Sequence, residues 1–361
     1  MKLIHCADLH LDSKMEHNLT PAQAKIRREE LLRTYEGIVE HAARVGARAI
    51  LISGDMFDKA HLKKSVLNRV TEAIEAHPDI DFLYLKGNHD NLDFGMDSGD
   101  VPKPDNLKLF NADSWREYRY GEVSVFGREL NDGNYRNIAT DLVLDVDRCN
   151  IVMLHGQESN YVGKDRTHII NMSDFRSKNI DYMALGHIHK YKCDRLDDRG
   201  LYCYPGCPEG RGFDECGKKG FVELNIEDGH ITTEFIESAI REFHNPEVAV
   251  AADWSMRDII AACDEALSGI PSDDLVKLVL TGEREIDTEI DTERILQSFS
   301  DRFFFLKVYD RTKIRIDYES FVYDKTLKGE FVRLLKEEEL PEDEKARIVD
   351  LGIKAIMGEE L

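Results

Sequence analysis

The chain has 361 residues and a mass of 41.4 kDa, and is 42% hydrophobic and 33% charged. That balance belongs to folded chains of about two domains and excludes a disordered one. Its formal net charge is −22, and residues 241–361 hold 29 acidic against 17 basic side chains; with neither part basic, a protein that grips nucleic acid by its own field alone is excluded. No apolar run approaches the ~20 residues that cross a bilayer. The opening MKLIHCADLH carries Asp and His where a secretory leader would be apolar, so a cytoplasmic location away from membranes is expected. The seven Cys at scattered spacings predict free thiols in a reducing compartment.

Residues 2–7 read as a strand. Thr20, Pro21 and Gln23 form the start signature of a helix over 21–45, whose apolar face is Leu31, Tyr35, Ile38, Ala42 and Val45. A buried strand over 49–53, a helix over 63–76 and a strand over 81–86 follow, predicting an α/β core with parallel pairing. Residues 91–105 are Gly-, Pro- and Asp-rich and read as a surface loop. His61 reads as a solvated loop residue. Strands are predicted within 115–127, 151–154 and 181–185. From Gly200 to about 240 the pattern is β throughout, with a hairpin turn at Asp228-Gly229. Past Arg241 the pattern changes to strand, helix (255–267), strand (275–281), helix (292–299) and strand (304–309), a small α+β domain. Residues 326–357 read as two amphipathic helices separated at Leu340-Pro341.

Chemistry concentrates where strands end. Five apolar runs lead respectively into Asp8-Leu9-His10, Gly54-Asp55-Met56-Phe57-Asp58, Gly87-Asn88-His89-Asp90, His155-Gly156 and Gly186-His187-Ile188-His189. Ligands of α/β sheets bind beyond the carboxyl ends of strands, so these five ends converge on one site. Carboxylate, amide oxygen and imidazole make a hard-to-borderline ligand set, which disfavours a closed thiolate zinc site. Seven candidate ligands exceed one ion's needs. Shared through one bridging carboxylate they serve two ions, an arrangement suited to in-line displacement at phosphorus. Asp90 reads as structural, through turn hydrogen bonds, and His5 as core packing. Cys193, Cys203, Cys207 and Cys216 lie close in sequence but contain no C-x-x-C pair, leaving a zinc role open.

The ordered motifs D-x-H, G-D-x-x-D, G-N-H-D, H-G and G-H-x-H resemble those of the calcineurin-like metallophosphoesterase superfamily. The longer runs IHCADLHLDS, LISGDMFD, LKGNHD, LGHIHK and YPGCPEGRGFDE resemble its DNA repair exonuclease branch, of SbcD and YhaO type. The resemblance implies an α/β two-sheet sandwich flanked by helices over residues 1–240, a small α+β capping domain over 241–318, and a helical partner-binding segment over 319–361. It implies that Asp8, His10, Asp55 and His189 hold one divalent ion. Asp55 would bridge to a second held by Asn88, His155 and His187. Manganese is the first expectation for the metal, with iron and zinc suiting the same ligands. His89 would stabilise charge at the scissile phosphate or protonate the leaving oxygen, or else orient a ligand. Asp58 would steer a ligand His or cap the next turn; some members of the family carry His at that position. The attacking water would be one whose pKa the ions lower.

The function expected from this resemblance is that of a metal-dependent DNA exonuclease/endonuclease subunit in DNA repair. Its partners would be DNA and an SbcC-type or YhaN-type coiled-coil ATPase docked on residues 319–361, with a homodimer also open. Two other readings stand beside it. One is a stand-alone phosphodiesterase or phosphatase acting on nucleotides or small phosphate esters, which the acidic charge suits. The other is a DNA-end-binding scaffold whose own cleavage is incidental.

Overall fold

The computed structural model describes residues 1–15, 19–58, 62–90, 103–159, 168–285 and 288–357. His61 and residues 91–102 of the predicted loop lie outside them. The chain divides into two compact units, Met1–Glu242 and Phe243–Leu361.

The first unit begins with β1 (Lys2–Cys6), α1 (Pro21–Val45), β2 (Ala49–Ser53), α2 (Lys64–Glu75), β3 (Asp81–Leu85) and β4 (Leu107–Leu109). It continues through β5 (Arg116–Tyr120), β6 (Val123–Gly127), β7 (Cys149–His155), β8 (Gln157–Glu158), β9 (Ile169–Ile170) and β10 (Tyr182–Gly186). Next come β11 (Lys192–Arg195), β12 (Leu201–Tyr204), β13 (Gly220–Glu227) and β14 (His230–Glu237). Two six-stranded sheets result, in the orders β14-β13-β1-β2-β3-β4 and β11-β12-β10-β7-β6-β5. Within them β1, β2, β3 and β4 run parallel in the first sheet, and β6, β7, β10 and β12 in the second.

Alternation along the strands fills three apolar layers. Leu3, Leu51, Leu83, Ile151, Met153 and Ala184 pack between the sheets. Their neighbours Ile4, Cys6, Ile50, Ile52 and Phe82 face α1 and α2, meeting Tyr35, Ile38, Val70 and Ile74. On the far side, Val152, Leu154, Met183 and Leu185 lie under Ile138, Leu142 and Phe175, which come from loops and single 3-10 turns. Burial on both faces explains why β2, β7 and β10 read as continuous apolar runs rather than alternating ones. The start of α1 forms as its sequence predicts. Thr20 Oγ1 accepts from the Gln23 amide at 3.3 Å, and the Thr20 amide donates to Gln23 Oε1 at 3.1 Å.

The second unit contains β15 (Phe243–His244), β16 (Glu247–Val250), α3 (Met256–Leu267), β17 (Leu275–Glu285), α4 (Thr292–Phe299), β18 (Phe305–Asp310) and β19 (Lys313–Arg315), then α5 (Leu327–Glu337) and α6 (Glu342–Met357). Strand β17 runs parallel to β15, β16, β18 and β19. With α3 and α4 as crossovers, this part of the chain alternates strand and helix as βαβ units. Ile259, Cys263, Ile295 and Phe299 cover Val248, Val276, Leu278 and Leu280. Helices α5 and α6 bury Val332, Leu335, Val349 and Ile353 against Ile314 of β19 and Phe321. No helix among the described residues is long and apolar enough to cross a membrane.

Candidate metal centre

The carboxyl ends of β1, β2, β3, β7 and β10 gather where the two sheets touch. Ser53 Oγ donates to the Ala184 carbonyl across the sheets at 3.0 Å. Beyond β1 and β2 the two chain segments stay hydrogen-bonded side by side: the Asp8 amide donates to the Gly54 carbonyl at 3.0 Å, and the His10 amide to the Asp55 carbonyl at 2.9 Å. Keeping those bonds while the chain leaves the sheet forces left-handed backbone on Asp8 (φ 54°), His10 (φ 44°) and Asp55 (φ 51°), and His187 has φ 104°. Each such residue costs on the order of 1–3 kcal/mol, stored where the ligands must point.

Two glycines let the ends close up. At Gly54, φ is 89° and an added Cβ would lie 2.2 Å from His155 Nδ1. At Gly87 the added carbon would meet Asp55 Oδ1 at 2.1 Å and the Asp55 amide nitrogen at 2.5 Å. These positions are needed for close approach to ligand side chains as much as for turning.

The structure brings all seven expected ligands together, in two groups sharing Asp55. In the first, His10 Nε2 lies 3.2 Å from His189 Nε2 and 3.7 Å from Asp55 Oδ2, and His189 Nε2 is 3.9 Å from Asp8 Oδ1. In the second, His155 Nε2 is 3.4 Å from Asp55 Oδ2 and 3.0 Å from Asn88 Oδ1, and His187 Nδ1 is 3.1 Å from the same Asn88 oxygen.

The protonation pattern shows why these atoms suit cations. His155 Nδ1–H donates to the Ser53 carbonyl at 2.9 Å, and His189 Nδ1–H donates to Glu215 Oε1 at 2.6 Å. Each ring therefore turns a lone pair on Nε2 toward other lone pairs. Buried acceptors facing one another need a proton or a metal between them. His10 Nδ1 is a buried nitrogen without a hydrogen-bond partner, with Asp58 Oδ1 4.0 Å away. The donor set and its convergence fit two divalent cations.

The charges agree. Burial raises the Asp8 carboxyl to about 6 even though His189 and His155 pull it down, while the His187 amide donates to both its oxygens at 3.0 and 3.1 Å. Burial also opposes ionisation of Asp55. The charge and hydrogen bond of His155 and the hydrogen bond from the His89 amide outweigh it, and Asp55 stays below the ordinary carboxylate range. Burial works against a proton on His155, but Asp55 and Asp8 raise it to about 9. Burial, with Arg211 next, keeps His10 neutral. A proton thus sits where one of the cations would, held by the same carboxylates.

His89 stands at the rim with 38% of its side chain exposed, more than any of the ion-facing carboxylates and His155. Its Nδ1 lies 3.7 Å from Asp58 Oδ1, its ring packs edge-on to His10 at 5.1 Å, and its amide donates to Asp55 Oδ1 at 2.9 Å. Asp58 thus lies between His10 and His89, in place to orient either ring. Asp90 accepts from the amides of Met56, Phe57 and Gly87 at 3.2, 2.9 and 2.9 Å, the structural part expected of it.

Two residues here escaped the sequence reading. Glu215 orients His189 and also accepts from the Arg211 amide at 2.7 Å. Burial disfavours its charge, yet His189 and Arg211 hold its carboxyl below the ordinary range. Arg211 reaches His189 Nδ1 and Glu215 Oε1, both at 3.3 Å. Both lie in YPGCPEGRGFDE, whose charged residues show no metal-ligand spacing. Cys207 Sγ is 3.6 Å from Glu215 Oε2, and burial pushes its thiol up. Among the described residues, no cluster of three or more possible metal-ligating side chains contains Cys193, Cys203 or Cys216.

A profile of the calcineurin-like phosphoesterase superfamily domain matches residues 1–229. The chain belongs to that superfamily. It is 28% identical over 303 residues to the uncharacterized metallophosphoesterase YhaO of Bacillus subtilis, covering 78% of this chain and 72% of that one. It is 34% identical over 249 residues to the DNA double-strand break repair protein Mre11 of Aeropyrum pernix, covering 62% of this chain and 58% of the relative. The Mre11 of Sulfolobus acidocaldarius is 24% identical over 264 residues, covering 67% and 65%. These relatives fit the DNA repair exonuclease branch. The chain is therefore a phosphoesterase of a metal-dependent, typically dinuclear family, and the two sheets form its sandwich.

Proposed function

We propose that this chain is a two-metal nuclease that hydrolyses DNA phosphodiester bonds in DNA repair, working in the cytoplasm with a coiled-coil ATPase. The observation that carries hydrolysis is the shared Asp55 between two lone-pair clusters. The DNA substrate is supported by the kinship with the Mre11 proteins, whose names place them in double-strand break repair.

Asp8, His10, Asp55 and His189 would hold one ion, and Asp55, Asn88, His155 and His187 the other. Two such cations, manganese in this reading, would supply Lewis acidity and a nucleophile at neutral pH. The chain's residues do the rest. Glu215 and the Ser53 carbonyl fix the tautomers of His189 and His155, so that each ring presents its Nε2. Asp90 holds the turn that carries Asn88 and His89. His89, at the exposed rim with Asp58 behind it, would give the leaving oxygen its proton.

The ATPase would answer the charge problem, presenting DNA that a chain of net charge −22 cannot hold alone. Its docking surface would be α5 and α6, where Leu327, Leu334, Leu351 and Ile356 are exposed. The same −22 favours the second reading, a stand-alone phosphodiesterase on nucleotides or small esters. The intact ligand set speaks against a mere scaffold.

The test is a manganese-dependent nuclease assay on linear duplex DNA, with and without the ATPase, run beside cyclic nucleotide hydrolysis. DNA cleavage that Asp55→Ala abolishes, in protein that still melts cooperatively, is expected. Cyclic nucleotide hydrolysis with no DNA cleavage, even with the ATPase supplied, would establish the second reading instead.

A further inference from the structure

Strands β11 and β12 form an antiparallel pair in which Cys193 stands directly opposite Cys203. Three pairs further along the same register, the Leu196 amide donates to the Gly200 carbonyl at 2.9 Å and marks a hydrogen-bonded pair. Such pairs alternate, so Leu196/Gly200, Asp194/Tyr202 and Lys192/Tyr204 are hydrogen-bonded, and Cys193/Cys203 is not. Non-hydrogen-bonded partners are the close ones, with Cα atoms about 4.5 Å apart, inside the range a disulfide spans. Both side chains belong to the apolar layer between the sheets, Cys203 within it and Cys193 packed against it.

We propose that Cys193 and Cys203 are a reversible thiol–disulfide site that takes a small-molecule disulfide as oxidant and closes without backbone rearrangement. The two cysteines have different parts. Cys193 is half-buried and reachable, whereas Cys203 is fully buried. Its neighbour Cys203 lowers the Cys193 thiol to about 7, the direction that favours its thiolate. Cys193 and burial hold Cys203 up as the proton-bearing partner. Attack therefore begins at Cys193.

The Cys193 thiolate forms a bond to one sulfur of the small disulfide and breaks its S–S bond, releasing one small thiolate, which takes up a proton. Cys203 then loses its proton and attacks the Cys193 sulfur, expelling the second small thiolate, which takes up that proton. Two electrons pass from the protein thiols to the small disulfide, which leaves as two thiols. The resulting staple would join the strand that follows His189 to the strand that leads into Cys207.

Exposed Cys216 would react as well, so the test uses the full chain carrying Cys216→Ser. Reduced protein is incubated with oxidised glutathione, alkylated under native conditions and weighed intact. The expected product has lost two hydrogens, and fragmentation links Cys193 to Cys203. Adding Cys203→Ser, or Cys203→Ala should the first fold poorly, should instead trap one glutathione on Cys193. Adding Cys193→Ser should leave the protein with neither the internal disulfide nor the adduct. The inference is overturned if the parent keeps its mass while its circular dichroism is native, or if Cys193 links to Cys207.

Discussion

Replacing Gly87 by Ala adds one carbon at the most crowded point of the centre. Gly87 does not adopt a left-handed φ, so Ala meets no backbone penalty there and the effect is purely one of contact. The new Cβ would lie 2.1 Å from Asp55 Oδ1 and 2.5 Å from the Asp55 amide nitrogen. Ordinary contact begins near 3.4 Å, so the carboxylate must retreat by roughly 1 Å, and the backbone atom beside it prevents a simple side-chain swing. A misplacement of ~1 Å in a catalytic constellation costs about a hundredfold in rate, or ~2.7 kcal/mol of transition-state stabilisation. Overpacking of this kind costs ~1–3 kcal/mol of stability, less than the ~5–15 kcal/mol a domain holds, so the fold survives. The assay is manganese-dependent hydrolysis of bis(p-nitrophenyl) phosphate, with thermal melting alongside. Gly37→Ala is the control, because nothing lies within 4 Å of its added carbon; it should leave the rate unchanged. A Gly87→Ala enzyme with a rate within twofold of the parent would refute the claim that Asp55 must sit where it does.

Three further outcomes are expected. Glu215→Gln keeps an acceptor near His189 but removes the charge, so manganese affinity measured by calorimetry should fall ~10–100-fold. His5, buried and 2.9 Å from the Tyr182 hydroxyl, has its pKa lowered by burial to about 3 from the usual 6.5. Below pH 6.5 the unfolded chain therefore binds a proton that the folded one refuses, and stability drops as pH falls from 6.5 toward 3. Between about pH 7.5 and pH 5 this residue should remove ~2 kcal/mol, a drop that urea melts of His5→Phe should not show, although that variant is less stable at both values. Thr20→Ala should lower stability by ~1 kcal/mol through loss of the α1 cap, read as a shift in the urea midpoint with unchanged slope.

Much of this protein is legible in its sequence. Short-range rules wrote α1, whose Thr20, Pro21 and Gln23 start it, and they marked the buried strands β2, β7 and β10 as apolar runs. The seven ligands were legible because each sits just past such a run, where parallel strands of a sandwich must deliver their ends to one edge. Edge strands such as β4 and β19 were not visible. Three-residue segments carry no period of their own and become strands only because β3 and β17 offer them a free edge. Glu215 and Arg211 lie far along the chain from the Asp and His motifs, and nothing local distinguishes them from surface charges. Only the folding of residues 205–215 against His189 makes one a tautomer-setting carboxylate and the other its counter-ion. The facing of Cys193 and Cys203 is likewise a matter of register, which pairing between strands decides. The sequence by itself determined which residue types stood at the strand ends, because hydrophobic runs and turn chemistry act within a few residues. The tertiary structure alone decided which lone pairs face each other, because that depends on two sheets meeting at angstrom distances.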